Sequence, residues 1–406
     1  MRRRRHPMLL HTLRAAAILA WFAIASASHP ALASAGKAKK ATSPSRNPYT
    51  SSQVCQQCHA YLYDQWVNSL HGSSLTDPVY QGVFKKVGPK DQPFCLQCHA
   101  PTVRVTHDAA FNLAITLEGV TCDFCHTVKT VKAGKPPELL LDPGRTKRGP
   151  YELVGTMGHK KAYSELHTKA EFCGGCHEVI NPNGFAVMDT YEEWKAGPYP
   201  GLGTQCQSCH MAQEFGAPAV TMGDFQSKMK VTAHRFLGGH SLINITRAAT
   251  LSLLLSPSEH GVSAAVYITN AESGHRLPTG IPARKVILEL RVLDSAGELL
   301  DTRTVEYRRI LRDAEGNEIP NDRIEDMFLK AASVKSDNRI APKETRREEF
   351  DIPIPEGAKD SVTIEATLYY LFQVPFLYPN EMKMEMARDV QTYEIPAPDP
   401  QAGDAK

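Results

Sequence analysis

Five copies of one five-residue pattern limit what this chain can fold into: Cys55-Gln-Gln-Cys58-His59, Cys95-Leu-Gln-Cys98-His99, Cys122-Asp-Phe-Cys125-His126, Cys173-Gly-Gly-Cys176-His177 and Cys206-Gln-Ser-Cys209-His210. They consume all 10 cysteines. Each copy has the spacing of a c-type haem attachment site. Two thiols must add to the two vinyl groups of one haem, and the next residue must reach the iron from the same side. Cysteines three apart, followed at once by histidine, share one face of a helical turn. The histidine then serves as an axial ligand. Five disulfides would give the adjacent histidines no role. Zinc sites take pairs of C-x-x-C and need no histidine after each. A thioredoxin-type motif needs a single C-x-x-C beside a βαβ pattern, which is not visible. The reading is five haem c groups, held by these ten cysteines and ligated by His59, His99, His126, His177 and His210.

The first 35 residues read as a secretory signal. Arg2 to Arg5 and Arg14 form a positive segment, Ala15 to Ala27 an apolar one of about 13 residues, and Ala31-Leu-Ala33 and Ala33-Ser-Ala35 are cleavage candidates. That apolar run is shorter than the roughly 18 to 20 residues a membrane span needs. Leu368 to Leu377 is also too short and holds Pro375. The expectation is an exported, periplasmic protein with no transmembrane segment, with an extracellular or outer-membrane-associated address as the alternative. The leader holds five of the 46 basic residues and none of the 44 acidic ones, so the remainder carries 41 against 44, a net charge of −3. Haem propionates would add to that. Such a balance disfavours nucleic acid and suits redox partner proteins of the cell envelope that offer a basic docking face. Oligomeric state stays open.

Residues 36–47 read as a polar linker and 48–245 as a pentahaem cytochrome domain. Its leading cysteines recur at offsets of 40, 27, 51 and 33 residues, too irregular for a solenoid. Pro136-Pro137, Pro143-Gly144 and Pro198-Tyr199-Pro200-Gly201 predict short helices joined by long loops. That makes a mainly α/irregular domain whose apolar surface the porphyrins must cover. From residue 261 cysteine disappears and period-two alternation begins, in Val262–Ile268, Val286–Leu293, Leu299–Tyr307 and Val362–Tyr370. This predicts an antiparallel β-sandwich domain over 261–395, separable from about Ser258, followed by a disordered tail over 396–406.

A low-spin haem needs a second axial ligand. Eight histidines outside the motifs follow the leader: His71, His107, His159, His167, His234, His240, His260 and His275. His71 is expected on an amphipathic helix whose apolar face carries Tyr63, Trp66, Val67 and Leu70. His159, His167, His234 and His240 are the other candidates in the haem region, while His107 and His260 are weaker. Met211 directly follows His210 and cannot reach the opposite face of that haem. With histidines plentiful, mostly bis-histidine ligation and low potentials follow. His275 lies in Gly274-His-Arg-Leu-Pro-Thr-Gly280, within the β part. Either it is a turn residue bonded to backbone, or it reaches across to a haem.

The chain resembles the multihaem c-type cytochromes related to the tetrahaem electron carrier of ammonia-oxidising bacteria. The resemblance spans about residues 50 to 290. It rests on Trp66-x-x-Ser69-x-His71, Gly119-Val-Thr-Cys122-Asp-Phe-Cys125-His126, Trp194 ahead of Cys206-Gln-Ser-Cys209-His210-Met211, and Gly274-His-Arg-Leu-Pro-Thr-Gly280. It implies closely packed haems passing electrons between periplasmic partners, with His71 serving a haem other than its sequence neighbour. Five motifs and a C-terminal β domain depart from the tetrahaem pattern. Electron transfer is the leading expectation. The alternatives are a subunit of an outer-surface conduit or haem filament, or a multihaem reductase of a small oxyanion. Pentahaem nitrite reductases replace one motif histidine by lysine, and no motif here does so.

Overall fold

A computed structural model describes residues 47–132, 137–152, 158–219, 229–354, 360–372 and 382–396. The leader, nearly all of the linker, Pro136, Leu368–Leu377 beyond Phe372 and the tail from 397 fall outside them. Ser45–Lys406 forms one compact unit. Among the described residues no helix is long and apolar enough to cross a membrane.

The N-terminal half is built as its turn-formers predict. Short helices alternate with loops and small two-stranded ribbons such as Val128–Lys132 with Glu138–Leu141. All five motifs lie on helices: Ser52–Val67, Gln92–His99, Cys122–Thr127, Ala170–His177 and Cys206–His210. Caps fix where they start. The Thr121 hydroxyl accepts from Phe124 N–H at 3.0 Å, and Gln205 and Ser208 cap each other across the last motif. Protein core is thin here, in separate clusters such as Tyr49, Ile115, Phe124 and Val128.

One expectation fails. The first helix ends at Val67, so His71 sits beyond it in a turn, and Val67 and Leu70 are exposed. The cause is local. Ser69 Oγ donates to Trp66 O at 2.7 Å and Ser69 N donates to the same carbonyl at 2.9 Å. Side-chain and backbone donors at this position satisfy a carbonyl that another helical turn would have used. Trp66 itself is buried and donates Nε1–H to Val120 O at 2.8 Å.

The C-terminal half holds two large antiparallel sheets and a two-stranded one, Arg309–Arg312 with Ser333–Asp337. We label the strands of the large sheets β1 (Ala249–Pro257), β2 (Gly261–Asn270), β3 (Arg284–Asp294), β4 (Leu299–Tyr307), β5 (Thr345–Pro353), β6 (Ser361–Phe372) and β7 (Met382–Glu394). The sheet orders are β5-β2-β1 and β4-β3-β6-β7. Strand β2 buries every second residue, and Val262, Ala264, Val266 and Ile268 are wholly enclosed. They share one large apolar cluster with Leu288 and Leu290 of β3 and Ile364 and Leu368 of β6. Each such Leu or Ile adds roughly 1.5–3 kcal/mol. At Gly261, φ is +152°, and a Cβ would fall 2.6 Å from Ile352 O, so only glycine can open β2 there. Strand β1 lies ahead of residue 261, where alternation alone puts the boundary. It follows the helix Leu242–Ala248 with no break. The two halves also share apolar packing: Val187 from the motif half joins Leu311, Ile324 and Met327 in a second cluster.

Candidate metal centres

In four motifs the histidine closes or nearly closes its helix, and in the first it sits at a kink within Ser52–Val67, so in each the backbone is free to turn the ring. His59 is already non-helical, at φ −112° and ψ 41°. Four motif rings are then fixed by a distant carbonyl. His59 Nδ1–H donates to Pro218 O at 2.5 Å, His99 to Ser74 O at 2.9 Å, His126 to Arg148 O at 2.5 Å, and His210 to Leu237 O. A histidine that gives Nδ1–H to a carbonyl presents a neutral, basic Nε2 to a metal.

The other histidines come to meet these rings. His159 lies with its ring centre 6.2 Å from that of His59, and His71 lies 6.2 Å from His177. His234 is 6.3 Å from His126, and His275 is 6.3 Å from His210. Two imidazoles holding one metal ion between them, each at about 2 Å, put their ring centres roughly 6.3 Å apart. Four independent pairs share that spacing. The partner rings are held in the same manner: His159, His234 and His275 donate Nδ1–H to Lys160 O, Thr232 O and Arg276 O. Nδ1 of His71 is buried with no hydrogen-bond partner, as is that of His167.

Electrostatics agree. Burial, reinforced by neighbouring imidazoles, pushes His71 down to about 3 and His177 and His275 down to about 4. Burial likewise pushes His234 down to about 4 and lowers His99 and His126. All are therefore neutral near pH 7, the form that binds metal.

The remaining candidates fare differently. His167 stacks on His126 at 5.7 Å, but its Nε2–H is spent on Cys125 O at 3.1 Å, so it does not match the four pairs. His240 is exposed, and the Asp77 carboxylate acts on both it and His99. His107 and His260 are exposed. The Tyr80 ring stacks on the face of His99 at 3.9 Å. Tyr80 Oη is buried without a partner, in a cluster with Leu75, Phe84 and Leu96.

None of the ten cysteines is in a disulfide. Thiols of different motifs interact: Cys55 with Cys122, Cys98 with Cys176, and Cys173 with Cys206. Cys125 acts on both Cys173 and Cys176. The donor set fits haem c at every motif.

Sequence reading picks out the candidate histidines but misses their pairing and the carbonyls that orient them. A carbonyl acceptor leaves no trace in composition, because every residue supplies one.

The model of the family "Cytochrome c554 and c-prime" matches residues 54–127. No curated protein matches the chain. Among solved structures, a penta-haem cytochrome c552 from Thermochromatium tepidum is similar in fold, with a TM-score of 0.65 and 24% identity over 86% of this chain and 99% of that one. With the motif helices, these findings support a multihaem c-type cytochrome that carries a C-terminal β part.

Proposed function

We propose that the protein transfers electrons through five c-type haems in the cell envelope. Bound haem iron supplies a one-electron couple; the chain supplies anchors, axial ligands and proximity. Cys55 and Cys58, Cys95 and Cys98, Cys122 and Cys125, Cys173 and Cys176, and Cys206 and Cys209 anchor one haem each. The observation that carries this reading is the shared 6.2–6.3 Å spacing of His59–His159, His177–His71, His126–His234 and His210–His275. Those pairs hold four haems from both faces, and His99 holds the fifth. Two imidazoles rather than imidazole and methionine keep potentials low. His71 serves the Cys173–His177 haem, not its sequence neighbour. A motif domain from residue 48, a β domain that reaches forward of 261 to take in β1 from Ala249, with the two larger sheets forming a sandwich, and a leader cleaved near residue 35 belong to the same reading, as do redox partner proteins. A conduit or filament subunit is the same chemistry at another address.

The test is intact mass. The purified protein should exceed its cleaved apo-chain by five haem masses, with no thiol left to alkylate. Fewer haems, or disulfides in their place, would refute it.

For the His99 haem the candidate second ligand is His240, since the Asp77 carboxylate acts on both histidines. The ferrous protein should then bind no carbon monoxide and the ferric one give only low-spin signals, since a haem with a histidine on each face has no place for that ligand. Uptake of about one carbon monoxide per chain would overturn this assignment.

A further inference from the structure

We propose that Glu193 is a positioning residue that holds His275 opposite His210, so that the β part of the chain completes a metal site of the motif half. This deepens the reading of His275 as a ligand and rests on it.

Glu193 lies on the helix Thr190–Ala196 and its side chain is 4% exposed. A carboxylate this deep persists only when paired and fully hydrogen-bonded. Its bonds converge on one loop. Oε2 accepts the N–H of Arg276, the residue after His275, at 3.1 Å, and the Thr279 hydroxyl at 2.6 Å. Oε1 accepts Arg339 Nη1 at 2.6 Å. Arg339 is itself buried, gives Nε and Nη2 to Asp337 at 2.8 Å each, and gives Nη1 to Pro278 O at 3.4 Å. Glu193 thus grips the loop on the far side of His275, directly and through Arg339. On the near side, Asn270 Nδ2 donates to His275 O at 2.9 Å. Thr190 on the same helix meets Thr279, hydroxyl to hydroxyl, at 2.9 Å.

The next residue on that helix holds the opposite ligand. Trp194 Nε1 donates to Thr204 O at 3.0 Å, two residues before Cys206 opens the motif of His210. Its ring packs 3.4 Å from where a Gly274 Cβ would be. One short helix therefore braces both histidines of the pair: Trp194 through the motif, Glu193 through the loop. Bonds to a charged acceptor in a dry interior are strong and directional. They set ring orientation and do not merely fill space.

The experiment uses the full, haem-loaded chain and compares Glu193→Gln, Glu193→Ala and His275→Ala, with Glu192→Gln on the exposed face of the same helix as control. The expected result is five haems retained by mass in every variant. One low-spin ferric resonance should shift in Glu193→Gln and convert in part to high spin in Glu193→Ala, with carbon monoxide uptake rising by up to about one per chain. Added imidazole should reverse the conversion, a rescue that general destabilisation would not show. If His275→Ala opens a haem and both Glu193 variants keep the wild-type resonance and uptake, the positioning role is wrong. If His275→Ala changes nothing, the ligand reading fails and this inference with it. Should Glu193→Ala not accumulate with five haems, Thr279→Val is read the same way: a shifted resonance supports the role and an unchanged one overturns it.

Discussion

Replacing His275 by alanine should convert one haem completely from low to high spin and raise ferrous carbon monoxide binding by about one per chain. His210 remains, its Nδ1–H still bonded to Leu237 O, so the haem keeps its proximal ligand and loses only the distal one. The remaining close pairs are tied up with His59, His126 and His177. The potential of that haem should rise as a strong donor is lost. The His260→Ala variant is the control, since His260 is exposed and should leave spin and uptake at wild-type values. An unchanged spectrum in His275→Ala would make His275 a turn residue, bonded to Arg276 O and nothing more. Optical titration with carbon monoxide, read beside electron paramagnetic resonance, separates the outcomes in one preparation.

How much of this was legible beforehand differs by element. The five anchors were, because thioether chemistry demands adjacent residues and so writes itself into a five-residue string. The strands β2, β3, β4 and β6 were, because a half-buried strand must alternate: β2 shows burial at every second position. The distal ligands were legible as candidates and not as partners. His71 meets His177 and His234 meets His126 across 106 and 108 residues of chain, and no local rule records such a choice. The helix expected to carry His71 fails for a nearby reason, since the competition at Ser69 outweighs the apolar spacing of Val67 and Leu70. Strand β1 was hidden by its composition. Its Leu253-Leu254-Leu255 run breaks alternation, and only Ala249 and Leu253 are buried along it. The brace at Glu193 was invisible, because a buried carboxylate and an exposed one look alike in a helix of sequence Thr-Tyr-Glu-Glu-Trp-Lys-Ala.

A fragment covering residues 258–406 should fail to fold, while one covering 241–406 should give a soluble, colourless β protein. Alternation alone would place the cut near Ser258, but that cut removes β1. Strand β1 pairs with β2 along its whole length, from Ala249 opposite Asn270 to Pro257 opposite Val262. Without it, β2 becomes a long apolar edge, open to pairing with other chains. Leu253, 1% exposed, leaves the core at a cost of roughly 2–5 kcal/mol, the range for deleting a buried leucine side chain. Leu253 N–H also donates to Asp389 Oδ2 of β7 at 2.8 Å, a bond between the two sheets. Set against the 5–15 kcal/mol that holds a typical domain together, these losses are decisive. The longer fragment keeps β1 and the helix Leu242–Ala248, whose Ile245 and Ala248 belong to the same core. It loses Val187, Asp189 at 3.2 Å from Arg309, and Glu193 at 2.6 Å from Arg339, but these gaps face the surface the cut exposes, where water replaces the lost partners. Far-ultraviolet circular dichroism and a thermal melt of the two fragments decide the matter. A cooperative β-type melt from 258–406 would show that β1 is dispensable.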